Sequence, residues 1–174
     1  GLSFSVEVSI EKSNNPITFE VDAFTLKNFD DDLNDIEEED ENIMYLSILL
    51  GSKFSQQNFQ KLYYKLQEDV RHEIEHFTQE GPYRIEDRPK YDENTSELPP
   101  LEHHLNISEI PALVHGFYRR AKLEKKPLDE IMIEDLDSDI AKGNLNKEEA
   151  QEILQSWIGY ARKNLPHAQY SGEY

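Results

Sequence analysis

Residues 72 to 76 read His-Glu-Ile-Glu-His. Two histidines four positions apart stand one above the other on an α-helix, so both imidazoles can meet a single cation. Glu73 lies one position round, beside such a cation rather than on it. From there its carboxylate can take a proton from an activated water. The chemistry on offer is metal-assisted hydrolysis, and the pattern acquires that meaning only on a helix.

The flanking residues predict the helix. Ser55 suits an N-cap. Phe59, Leu62, Tyr63, Leu66, Val70, Ile74 and Phe77 recur at steps of three and four, and Gly81-Pro82 ends the run, giving a helix over 56–80. In this phase the histidines fall on one flank of the apolar face, with Glu73 between them and its centre. They would line a cleft at the edge of the core.

A catalytic zinc takes three protein ligands and keeps a fourth position open. The leading candidate for the third is Glu109, 33 residues after His76 in the segment NISEIPALVHGFYRRAK. It stands near the start of a second helix, where it could also pair with Asn106 in a capping box that needs no metal. His103 and His104, 27 and 28 residues after His76 in a proline-rich stretch, are alternative ligands or donors to an oxyanion. Tyr118 could reach over the site or belong to the core. His115 falls on a different face of its helix from Glu109 and is left out.

HEIEH followed about thirty residues later by Glu-x-x-Ala on a second helix resembles the gluzincin class of zinc peptidases, over about 43–120. The segment is also similar to small phage-encoded HExxH proteins that carry an EIxA element. The resemblance implies Zn²⁺ held by His72, His76 and Glu109, Glu73 as general base, and a peptide or protein substrate. The residues that usually hold the gluzincin transition state are not visible. Metzincins would place Gly and His where Gln79 and Pro82 stand, which excludes that class. A three-histidine site would resemble the SprT-like peptidases, but those carry a cysteine-rich zinc ribbon and this chain has no cysteine.

The remaining elements must position this group. Leu2, Phe4, Val6, Val8 and Ile10 alternate with polar residues, as do Ile17, Phe19, Val21 and Ala23 after the turn signal Ser13-Asn14-Asn15-Pro16. These predict a β-hairpin over 2–24. Ile43–Leu50 is a third strand, an edge on which an extended substrate could pair. Residues 81–105 read as a long loop, a cleft wall or lid. Helices follow over about 106–126 and 128–141, and a last one starts from the Asn146/Glu149 capping box and ends before Pro166. The segment 135–148 faintly resembles an EF-hand, but Ile140 stands at its sixth position and Asn146 at its twelfth, so a turn at Gly143-Asn144 is expected instead. Strands before helices predict an α+β fold with a small antiparallel sheet: one zincin-like domain over 1–174, mainly β over 2–50, mainly α over 55–165, with a loose tail over 166–174.

The composition narrows the partners. The 174 residues carry a net charge of -18, and nine acids with no base crowd residues 30–41. That balance argues against nucleic acid and anionic lipid. The block reads as a solvated loop, or as a surface for a basic partner. No apolar run approaches a membrane span and no signal peptide is visible, so a cytoplasmic setting, or a virion, is expected. The expected activity is peptide-bond hydrolysis. The rival is a non-catalytic zinc-binding phage structural or assembly protein.

Overall fold

A computed structural model describes residues 4–26, 42–79 and 99–172. The acidic stretch 30–41 and most of the expected loop 81–105 lie outside these residues.

The architecture is α+β, and among the described residues three strands are followed by five α-helices. Strands β1 (Phe4–Lys12), β2 (Phe19–Leu26) and β3 (Asn42–Leu50) form a sheet of order β1-β3-β2. β3 runs parallel to β1 and antiparallel to β2, so the sheet is mixed and the expected hairpin does not form. Nor is β3 an edge. Its apolar side chains point to both faces: Met44, Leu46 and Ile48 to one, Ile43, Tyr45 and Leu49 to the other. A strand of that kind suits the middle of a sheet, where neighbouring side chains flank its own, whereas β1 and β2 alternate and suit the outside.

The turn after β1 therefore spans a gap one strand wide, and the end of β3 fills it. Ser13 N–H donates to the Leu50 carbonyl at 2.9 Å, Gly51 N–H to Thr18 at 3.1 Å and Lys53 N–H to Ile17 at 3.0 Å. A Cβ on Gly51 would stand 2.2 Å from the Ile17 oxygen, so the backbone closes there only because residue 51 has no side chain.

A short 3₁₀ turn over Gln56–Asn58, with Ser55 and Asn58 sharing a capping box, leads into α1 (Phe59–Thr78). α1 packs against β2 on one side and α3 on the other. α2 (Pro100–His104) occupies the end of the expected loop. α3 (Glu109–Glu124), α4 (Leu128–Lys142) and α5 (Lys147–Asn164) enclose the main core around Trp157, Phe117, Ile131 and Ile153. The Phe117 and Trp157 rings lie 5.0 Å apart. Gly143 ends α4 in the left-handed region at φ 80°, and Asn146 and Glu149 cap α5 reciprocally, which accounts for the EF-hand-like stretch without calcium.

The expected loose tail is docked as far as Ser171. Gln169 accepts from Leu128 N–H at 2.7 Å, and the fully buried Asp129 carboxylate accepts from Ser171 N–H at 2.9 Å. A buried carboxylate at the start of α4 needs such donors, and the tail supplies them.

Candidate metal centre

The buried residues of α1 are Leu62, Glu68, Glu73, His76 and Phe77. Phe59 and Tyr63, from the expected apolar face, are exposed. The helix thus buries polar groups against α3, and the histidines lie in that interface rather than on the flank of an apolar stripe. Gly116 makes this packing possible. A Cβ there would meet the Glu68 carbonyl at 3.0 Å and the His72 Cβ at 3.6 Å.

α3 runs antiparallel to α1, so its first residue faces the end of α1. There Glu109 Oε2 stands 3.4 Å from His72 Nε2 and 3.3 Å from His76 Nε2, and the two Nε2 atoms are 3.0 Å apart. A tetrahedrally held cation with bonds of about 2.0–2.1 Å has neighbouring ligand atoms roughly 3.3 Å apart. The triangle of Nε2, Nε2 and Oε2 has the dimensions of one face of that tetrahedron. Glu73 joins from the side: one ligand atom each from His72, Glu73 and His76 lie within 4.8 Å of one another, and Glu73 Oε1 is 3.7 Å from His72 Nε2.

The surroundings of His72 suit a cation. Burial is the main cause holding the His72 imidazole below its usual pKa, and it outweighs the opposing pull of Glu109. A neutral imidazole is the ligating form. His76 Nδ1 lies 3.2 Å from Gln79 Oε1, an acceptor, a pairing that suits the tautomer with its hydrogen on Nδ1 and the Nε2 lone pair towards the triangle. The same Gln79 side chain donates to the Ser108 carbonyl at 2.5 Å, the residue before Glu109. Gln79 therefore ties the end of α1 to the start of α3. The sequence offered Gln79 only as a departure from the metzincin pattern.

The expected capping box around Glu109 is absent. Asn106 Oδ1 accepts instead from the Ser108 N–H at 2.9 Å and hydroxyl at 2.8 Å. The Glu109 side chain is left to face the histidines, 3 % exposed.

The other candidates separate. His103 acts on the His72 imidazole through its charge, so it lies within electrostatic reach of the group. His104 turns the other way. Its Nε2 is 3.0 Å from Asp139 Oδ2, and its ring packs edge-on against Trp157 at 5.4 Å. Tyr118 lies under Lys122 Nζ at 4.2 Å and lines a cavity with His167 and Gln169 that includes neither His72 nor His76. His115 Nδ1 is 2.9 Å from the Arg71 guanidinium, which also pairs with Glu75 at 2.6 Å, along the neighbouring edge of the same helix pair. A cavity of about 830 Å³, lined by Phe19, Tyr64, Lys65 and Arg120 among others, lies towards the other end of α1 and includes none of the four grouped residues.

The chain thus carries an HExxH-like group on a helix, able to hold a metal ion. No family model, curated protein or solved structure matches the chain. Among the described residues, no helix is long and apolar enough to cross a membrane.

Proposed function

We propose that the protein is a zinc-dependent peptidase of gluzincin type. The observation that carries this reading is the triangle of 3.0, 3.3 and 3.4 Å formed by His76, His72 and Glu109, with Glu73 beside it. His72 and His76 would hold the ion as neutral imidazoles, and Glu109 would add one negative charge. Two nitrogens and a carboxylate oxygen on facing helices are a common donor set for a hydrolytic zinc. When bound, zinc supplies Lewis acidity, lowering the pKa of water towards about 7 and favouring negative charge on a carbonyl oxygen.

The protein's own groups do the rest. Glu73 accepts a proton from the attacking water and passes it to the leaving amine, a role worth about 10²–10⁴ in rate. His103, within electrostatic reach of His72, would be the donor to the developing oxyanion. β3 is central and cannot pair with substrate. The outer edge of β2, the strand packed against α1, is the edge on which an extended peptide would add a strand.

Burial of His76 and Glu109, 2 % and 3 % exposed, favours a second reading in which zinc only braces α1 against α3. Metal analysis and peptide turnover on wild type and Glu73→Gln separate the two. The peptidase reading expects about one zinc per chain in both proteins and turnover only in wild type. Zinc without turnover in either leaves the brace. Absence of zinc uptake overturns both.

A further inference from the structure

Among the described residues the sheet has two outer strands, of which β2 packs against α1. Among the described residues, β1 pairs with β3 alone. Val6, Val8 and Ile10 lie in register with Met44, Leu46 and Ile48 and share their face of the sheet. The three β3 residues are at most 9 % exposed, whereas Val6, Val8 and Ile10 are 48, 55 and 64 % exposed. An outer strand with apolar alternate residues, no proline and an unbroken register is a template for another strand.

We propose that β1 pairs antiparallel with β1 of a second copy of this chain, about a two-fold axis at Val8, joining the two sheets into one. Charge selects the register. With the axis at Val8, Val6 opposes Ile10 of the second copy, Val8 opposes itself and Glu7 opposes Ser9, so the three exposed apolar residues meet one another, while Phe4 opposes Lys12 and Ser5 opposes Glu11. An axis at Glu7 would oppose that carboxylate to itself, and an axis at Ser9 would oppose Glu7 to Glu11. Like charges directly opposite are destabilising. Axes at Val6 or Ile10 would pair little more than half of the strand.

The acidic block agrees with the same arrangement. The chain leaves the sheet at Leu26 and returns at Asn42, which pairs with Phe4. Antiparallel joining sets the Phe4 end of one copy beside the Lys12 end of the other. The attachment points of the two nine-acid stretches then lie about 26 Å apart along the strands, several Debye lengths at physiological salt. Parallel joining would bring them together.

The absence of cysteine gives a direct test. Directly opposed antiparallel residues have Cα atoms about 4.5–5.5 Å apart, within disulfide range. Val8→Cys opposes itself in this register, whereas Ile10→Cys opposes Val6 of the second copy. Sedimentation of wild type is expected to pass from monomer to dimer between about 10 μM and 1 mM, since so small a contact belongs to the weak class. Val8→Lys, with two ammonium groups meeting at the axis, raises the dissociation constant at least about tenfold. Under mild oxidation, Val8→Cys forms covalent dimers much faster than Ile10→Cys. The inference is overturned by wild type that stays monomeric at about 1 mM, by a dimer indifferent to Val8→Lys, or by equal cross-linking of the two cysteine variants. Zinc content and peptide turnover do not enter the readout, so this result stands apart from the proposed activity.

Discussion

Gln79 has the clearest consequence at the scale of single residues. Its amide pairs with His76 and donates to Ser108, so one buried side chain orients the His76 imidazole and anchors the residue before Glu109. Partners of this kind typically contribute about 10–100-fold in metal affinity. Gln79→Leu keeps the volume and removes both bonds. It is expected to weaken zinc binding by about that factor, measured by competition with a chromophoric chelator. Gln79→Glu keeps an acceptor for His76 but loses the donor to Ser108, and should fall between the two. Glu109→Ala removes an oxygen 3.3 and 3.4 Å from the two imidazoles and should weaken zinc more than either change at Gln79. Unchanged affinity in Glu109→Ala would remove that residue from the site.

The element that decides the site is the α1–α3 pair. Its separation is set at Gly116, where a Cβ would meet a backbone oxygen at 3.0 Å and the His72 Cβ at 3.6 Å. Gly116→Ala gains helix propensity of about 1 kcal/mol in α3, yet must push the helices apart by a few tenths of an ångström. Glu109 rides on the same helix, two turns away. The expected outcome is a folded protein with unchanged helix content by circular dichroism and weaker zinc binding, an effect that stability alone would not produce. Gly51→Ala is the contrasting case. The backbone oxygen 2.2 Å from the added Cβ cannot yield without opening the junction between the β1–β2 turn and the end of β3. That change should lower the unfolding temperature rather than act on the metal.

For the whole molecule, Asp69 on α1 makes a contribution that runs against the usual acid denaturation of an acidic protein. Burial is the main cause raising the Asp69 carboxyl to about 6, with Glu68 and Asp135 adding to it and Lys65, 2.8 Å away, opposing. Its unfolded value is about 3.9. The folded state therefore binds this proton more tightly. The contribution favours folding fully below about pH 4 and is lost as pH rises through about 6. Asp69→Asn removes it. Relative to wild type, the variant should gain about 2 kcal/mol between pH 4 and pH 7, read from urea unfolding of the metal-free proteins. A constant difference across that range would remove Asp69 as its source.

The periodicity of the chain was enough to place the HExxH-like group on a helix, the Asn146/Glu149 cap, the turn at Gly143 and the α+β class. Each of these rests on interactions within a few residues, where helical and strand geometry are already fixed by local sterics. Three features depended on contacts between distant segments. β3 lies between β1 and β2, where neighbouring strands flank the apolar side chains it carries on both faces, and a local turn signal carries no information about insertion. The tail docks because the buried Asp129 needs donors, 42 positions away in sequence at Ser171. Glu109 faces the histidines rather than its own helix cap because Asn106 is engaged by Ser108 and Gly116 lets α3 approach α1. A capping signature and a ligand signature use the same glutamate, and only the packing of the two helices decides where its carboxylate points.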